Sequence, residues 1–312
     1  MNKSLVAWLL LLSCNFMWAM QFTCIKLVQD QVGPIFTVAG PMFLAMLLLI
    51  PFLKKKGTER KNITFADVKT FGSLAIIGAF PAQVVITWGT QYSLASNASI
   101  LMLSLPVITA LFAFLILKEK MNAARWISFI IAIVGVTLCC LGDMSKMDFG
   151  SKYAFGNLLI FIAIFGNAYY NTICKKISTQ YSEIEMLFYS YVALLIFLLP
   201  LVLILEPTSF GDISTYTTNT WIGMALLTVF HNFLSMVLFF KALKVLDVTQ
   251  VGLSNYLITF LGLPIAAIWL GEKLSKYAII GGILVLIGTL ITTIWEHKIN
   301  KKLVQENPEH QD

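Results

Sequence analysis

Runs of about twenty apolar residues recur along the chain, separated by short polar connections. Ten are read, at approximately 5–25, 34–53, 71–91, 96–117, 123–141, 153–173, 184–205, 220–240, 249–270 and 277–295. At a rise of about 1.5 Å per residue, each reaches across roughly 30 Å, the thickness of a bilayer's hydrocarbon core. The pattern predicts an all-α integral membrane protein with ten transmembrane helices. The longest connection, 54–70, is basic, and 206–219 is polar and slightly acidic. Residues 142–152 join two groups of five helices, and the charged segment 296–312 is expected to be a disordered cytoplasmic tail.

The pattern also repeats. Leu117-Lys118-Glu119-Lys120 returns as Leu270-Gly271-Glu272-Lys273, 153 positions later. With 115–140 laid over 268–293, Ile127 falls on Ile280, Ile130 on Ile283 and Gly135 on Gly288. Weak identity with strong agreement of pattern is how an old internal duplication looks. Residues 5–141 and 153–295 are therefore read as two copies of a five-helix unit, with 142–152 as the connecting loop. Five is odd, so the second copy enters the membrane from the opposite side, and the two form an inverted repeat. With the N-terminus inside, 17 Lys and Arg residues fall on the cytoplasmic side and 5 on the other. That bias places both termini in the cytoplasm.

Composition sharpens this picture. The chain is 58% hydrophobic and 12% charged, where a soluble domain carries about 25% charged residues. Lipid is the expected solvent for most of it. The net charge of +6 is accounted for by the cytoplasmic loops and does not point to nucleic acid. Cys14, Cys24, Cys139, Cys140 and Cys174 all lie in or beside apolar runs, without a C-x-x-C pair, and read as small buried residues. Lys3 and the run after it are read as a retained first helix rather than a signal peptide, because that run holds Asn15, Trp18 and Gln21 without a short core and cleavage site.

Ten spans in two fives, each half ending its fourth helix in a Glu-Lys turn, resemble the EamA branch of the drug/metabolite transporter superfamily. The resemblance runs from about residue 5 to 295. Pro106, 13 residues before Glu119, and Trp18, eight residues before Lys26, match its pattern. Asn167 replaces the Trp in the second half, Thr259 stands at the expected Pro position, and Lys118 stands where a Gly is usual. The resemblance implies a solute transporter, commonly an exporter of amino acids or other small metabolites. Its cavity would be lined by the first, third, fourth, sixth, eighth and ninth helices, with the fifth and tenth peripheral and available to a homodimer. It implies no cofactor.

Polar residues inside spans should face protein or water, since hydrocarbon makes each costly, by about 1–3 kcal/mol or more. Helical spacing groups Asn15 with Trp18 on the first helix, and Gln83, Thr87 and Gln91 on the third. It groups Asn167, Tyr170 and Asn171 on the sixth, and Thr228, His231, Asn232 and Ser235 on the eighth. The ninth carries Gln250 with Ser254, and Asn255 with Thr259; the fourth adds Asn97, Ser99 and Ser104. The expected substrate-binding set is Asn15, Trp18, Gln83, Thr87, Gln91, Asn97, Asn167, Tyr170, Asn171, His231, Asn232, Ser254 and Asn255. Each amide or hydroxyl also has a plainer reading, as interhelical glue. Trp18 reads equally as a cavity aromatic or a lipid-belt residue, and His231 as a binding or proton-exchanging group or a neutral packed one. Tyr169 and Tyr256 are further aromatic candidates.

Glu119 and Glu272 sit at turns on opposite faces and read as helix-end caps rather than an acid/base pair. No metal or nucleophile cluster, no P-loop and no carboxylate at a span centre appears, which argues against an intramembrane enzyme and against ATP as the direct energy source. A membrane sensor is the alternative to a transporter. The neutral lining suits a small neutral or zwitterionic solute, and the style of the chain suits a bacterial inner membrane.

Overall fold

The computed structural model describes residues 3–53, 64–117, 153–178, 180–245 and 254–273, with isolated residues of 123–138 and 276–294. Among them no strand occurs. Seven helices are long and apolar enough to cross a membrane: α1 Leu5–Val28, α2 Pro34–Leu53, α3 Phe65–Gln91, α4 Ala95–Ile116, α5 Ala154–Ile177, α6 Glu183–Leu205 and α7 Thr218–Val245. A shorter apolar helix, α8, spans Tyr256–Leu270. The Glu119 turn, the 142–152 loop, Gln250, Cys139, Cys140 and the 296–312 tail lie outside the described residues.

Several helices outrun their apolar runs, for local reasons. α3 starts six residues early because Thr64 and Asp67 form a capping box, each side chain taking the other's backbone N–H. Ser182 and Glu185 do the same for α6. α5 continues past residue 173 because Cys174 and Ile177 are buried and Lys175 Nζ donates to the Leu243 carbonyl at 3.2 Å. α7 reaches Val245 because Phe239, Phe240, Ala242 and Leu243 are buried. There Lys244 pairs with Glu183 at 3.1 Å.

The helices depart from regular geometry where the sequence removes or diverts a backbone bond. In α4, Pro106 has no N–H to offer the Met102 carbonyl. A short 3₁₀ turn, Met102–Ser104, follows, and the Leu105 N–H takes up that carbonyl. α3 widens into a π segment, Leu74–Val85, which contains Pro81. α7 widens too, over Leu227–Ser235, without a proline. Asn232 Nδ2 donates to the Leu227 carbonyl at 2.9 Å, and the Tyr191 hydroxyl donates to the Asn232 carbonyl at 2.5 Å. Side chains thus satisfy carbonyls that the wider turn leaves unpaired. The two π segments begin at Leu74 and Leu227, the same 153-residue offset that relates Glu119 to Glu272.

Buried apolar side chains form two clusters. One joins α2, α6, α7, the first half of α1, much of α3 and the last turns of α5. The other joins α4, the start of α5, and parts of α1, α3 and α8. Many large apolar side chains face outward, among them Leu44, Ile76, Ile196, Leu203 and Ile222. In water they would be a liability; in lipid they are matched to their solvent.

One end of the bundle is tied together by carboxylates on helix N-termini. Glu272, which follows α8, accepts from Ala95 N and Ser96 N of α4, both at 2.9 Å. Glu206, after α6, accepts from Ile35 N and Phe36 N of α2 at 2.9 and 2.8 Å. Pro34 opens α2 without a donor to waste, and Gly33 leaves room: a Cβ there would lie 2.2 Å from Glu206 Cδ. The expected capping role of Glu272 thus has a specific target, the positive end of a helix far away in sequence. Glu272→Gln is expected to lower stability by about 1–2 kcal/mol, since one charge-assisted bond becomes neutral and the other is lost, the amide NH2 being a donor that faces a backbone N–H. Lys244→Gln, at a half-exposed pair, should cost under about 1 kcal/mol. Thermal midpoints of the purified variants check the order, and equal shifts would refute it.

Candidate functional site

The site is built where the two apolar clusters meet. A closed-in cavity there is lined by residues of all eight helices, including Trp18, Gln21 and Phe22 of α1 and Gln83 of α3. Asn167, Tyr170 and Asn171 of α5, His231 of α7 and Asn255 before α8 complete its polar part. Met42, Ile86, Met102, Leu105, Phe239 and Ile258 supply apolar walls. None of its lining residues carries a formal charge.

Backbone irregularities put these side chains there. α1 breaks at Met20, between Lys3–Ala19 and Gln21–Val28, and the lining residues Trp18, Gln21 and Phe22 straddle the break. Trp18 packs against Phe239, the two rings tilted by 49° with centroids 5.0 Å apart. Gln83 and His231 project from the two π segments, and His231 Nε2 lies 3.4 Å from Gln83 Oε1. That contact is a hydrogen bond when Nε2 carries the ring proton. On α5, Asn171 Nδ2 donates to Asn167 Oδ1 at 3.3 Å. The seam between the halves of the chain therefore runs through Gln83 and His231.

Several polar atoms at the cavity have no protein partner among the described residues: Trp18 Nε1, His231 Nδ1 and Asn255 Oδ1. A donor, an acceptor and a nitrogen able to serve as either are thus buried and unsatisfied in one place. Such groups are costly to bury unpaired, and in native proteins they call for an explanation.

The expected binding residues divide into two groups. Trp18, Gln83, Asn167, Tyr170, Asn171, His231 and Asn255 line the cavity. Asn15, Thr87, Gln91, Asn97, Asn232 and Ser254 do not, and each is engaged elsewhere. Asn15 Nδ2 donates to the Ser254 carbonyl at 3.0 Å, Thr87 Oγ1 to the Gln83 carbonyl at 2.6 Å, and Gln91 Nε2 to the Val32 carbonyl at 3.3 Å. Asn97 lies 3.5 Å from Ser93 Oγ, and Asn232 holds the α7 π segment. Tyr169 donates to Ser73 at 3.2 Å, away from the cavity. The Lys26 ammonium donates to Gln29 Oε1 and to the Gln91 carbonyl at 3.0 and 3.1 Å.

Several lining residues escape the sequence reading, Gln21 of α1 among them. Ser190 and Tyr191 bring α6 to the cavity and Met42 brings α2. Ser190 and Tyr191 are an adjacent polar pair in an otherwise apolar span, a signal that a stricter search for polar positions would have found. Met42 carries none.

The ends of the cavity differ in how the halves are joined. At the Glu206 and Glu272 end, Gln31 Oε1 accepts from Thr217 N and Thr220 Oγ1 at 2.8 and 2.6 Å, and Ser93 donates to Asn157. At the other end Tyr181 donates to Asp67. Burial, and then the Asp67 carboxylate, push the Tyr181 phenol above its usual range, so it remains the donor there.

Comparison with known proteins gives the arrangement a family. The EamA-like transporter family matches twice, over residues 5–141 and 154–294. The chain is 25% identical over 272 residues to the uncharacterized transporter YetK of Bacillus subtilis, covering 86% of this chain and 81% of that protein. It is 26% identical over 297 residues to an uncharacterized transporter of Archaeoglobus fulgidus, covering 93% and 98%. It is 24% identical over 291 residues to a probable terminal-alkyne amino-acid exporter of Streptantibioticus cattleyicolor, covering 93% and 94%. A solved crystal structure shares the fold with a TM-score of 0.66 at 14% identity, over 96% of this chain and 98% of that one. The chain belongs to the EamA-like transporter family, and it is an integral membrane transporter of a small-molecule solute rather than an enzyme.

Proposed function

We propose that the protein is a secondary exporter of small neutral or zwitterionic metabolites such as amino acids. It works by alternating access around the Gln83–His231 cavity. The observation that carries this reading is the cavity's polarity: buried, uncharged, and holding unpaired donors and acceptors beside apolar walls. A zwitterion's carboxylate would take N–H donors such as Trp18 Nε1, and its ammonium would take carbonyl acceptors such as Asn255 Oδ1. A strongly charged solute would find no counter-ion among the lining residues. The named activity of the Streptantibioticus relative, an amino-acid exporter, points the same way.

The proposal includes ten helices in two inverted repeats, 5–141 and 153–295, with both termini in the cytoplasm of a bacterial inner-membrane protein. The double family match, the matched onset of the two π segments and the Lys/Arg bias support it. In that orientation the Glu206, Glu272, Gln31 and Asn157 contacts seal the outer end. Release outward then requires the two halves to rock apart there, exchanging the sealed end for the opposite one.

Counterflow in proteoliposomes tests the reading. With unlabelled solute inside, a labelled neutral amino acid from a panel is expected to accumulate transiently. Lysine and glutamate should do so at least about tenfold less. Tight binding without exchange would indicate a sensor instead, and exchange of charged solutes alone would overturn the substrate assignment.

A further inference from the structure

A second concavity lies on the lipid side of the bundle and has no part in the site above. It is roomier than the central cavity, with a volume of about 600 Å³ against about 70 Å³. α2 supplies Gly40, Phe43 and Leu44 to its walls, α7 supplies Trp221, Met224 and Val229, and Leu199 of α6 adds to them. Phe43, Leu44, Trp221 and Val229 are themselves exposed on the membrane-facing surface, so the groove opens sideways.

Besides the Trp221 indole at its rim, two lining side chains carry polar groups, and both hydroxyls are already engaged. Thr228 Oγ1 donates to the Met224 carbonyl at 2.8 Å, and the Tyr216 hydroxyl donates to the Ser209 carbonyl at 2.6 Å. Water inside would lack partners, and a polar solute would find none. At one end Tyr216 and Trp221 pair, their rings 5.9 Å apart, next to the polar Gln31–Thr217 contacts. Paired aromatics beside polar backbone mark the water border of a bilayer. From Trp221 down α7 to Val229 is eight residues, or about 12 Å at helical rise. One hydrocarbon leaflet is about 15 Å deep. The groove therefore starts at the interface, runs most of one leaflet and is apolar throughout.

We propose that this groove is a lipid site. It takes one acyl chain of a phospholipid from the leaflet beside the 206–217 loop, with the headgroup left at the Tyr216–Trp221 rim. Gly40 keeps the groove open, since a larger side chain there would project toward Met224 and Phe36. The site stands apart from the transport reading, because its lining shares no residue with the central cavity.

The test uses the full chain in vesicles of phosphatidylethanolamine and phosphatidylglycerol, doped with a phosphatidylcholine bearing a diazirine on one acyl chain. After irradiation, labelled peptides are mapped by mass spectrometry. Labelling of 36–44 and 213–229 is expected to exceed that of the lipid-facing stretch 155–162 of α5, where Phe155, Leu158 and Ile162 are exposed and none lines the groove, by about fivefold. Gly40→Phe should erase that excess and leave 155–162 unchanged. Val229→Phe, at the groove's open edge, repeats the test should Gly40→Phe fail to fold. Even labelling of both faces, or an excess indifferent to both variants, would overturn the site. Absence of label at 36–44 and 213–229 while 155–162 is labelled would overturn it, the groove then being closed to lipid.

Discussion

Gly156→Leu is expected to destabilise the protein by about 3 kcal/mol, the upper part of the range for overpacking. α3 and α5 cross with their backbones nearly touching. A Cβ on Gly156 would lie 2.6 Å from the Gly89 carbonyl oxygen and 2.6 and 2.7 Å from Tyr92 C and O. A Cβ on Gly89 would lie 2.8 Å from the Gly156 carbonyl oxygen. Farther along the same crossing, Gly166 meets Pro81 Cβ at 2.6 Å. The obstructing atoms at Gly156 are main chain, which has no rotamer in which to yield. Packing at small residues is a chief attraction between helices in lipid, so separating this pair removes van der Waals contact along the whole crossing. Gly72→Leu and Gly211→Leu serve as controls, because a Cβ at either meets nothing within 4 Å. Both should stay within about 1 kcal/mol, the cost of the glycine itself being small. Thermal unfolding in detergent and the yield of folded protein measure the contrast. Equal loss in Gly156→Leu and Gly211→Leu would show that the crossing is looser than described.

The second large effect separates function from stability. His231→Leu and Gln83→Leu are each expected to reduce counterflow about tenfold or more while leaving the thermal midpoint nearly unchanged. Their one mutual contact, at 3.4 Å, is long for a hydrogen bond and contributes little to folding. His231 Nδ1 has no partner at all among the described residues, so replacing the ring removes an unpaired polar group as well as a contact. Losing one hydrogen bond to a solute in a buried cavity costs about 1–1.5 kcal/mol, or roughly tenfold in affinity. Asn232→Leu should behave in the opposite way. It removes the donor that satisfies the Leu227 carbonyl, so stability falls first and transport follows. Loss of stability with retained exchange in His231→Leu would relocate the solute path.

These contrasts turn on how much of the molecule could be read before its packing was known. Membrane residence and helical class follow from the sequence alone, because lipid leaves the backbone few alternatives to helices of about twenty residues. The same constraint makes apolar runs mark helices directly, and the observed helices start or end within a few residues of them. The extensions have local causes, such as the Thr64–Asp67 box. The repeated Glu-Lys turns and the Trp18–Lys26 pair were enough to indicate the family.

The site was legible only in part. Helical spacing says which polar side chains share a face, but not whether that face meets a cavity or another helix. Asn15 and Gln83 look alike in sequence; one donates to the Ser254 carbonyl and the other lines the cavity. Thr87 falls one turn from Gln83, yet its hydroxyl returns to its own helix at 2.6 Å. The π segments decide much of this, because a wider turn rotates every later side chain relative to a 3.6-residue helix. Pro81 hints at one of them, while the α7 segment depends on Tyr191 from another helix. The sequence by itself determined the solvent, the helical class and the transporter family. Tertiary structure alone decided which polar groups are satisfied by neighbours and which remain unpaired, since that depends on contacts between helices, some joining residues as far apart in sequence as Asn15 and Ser254.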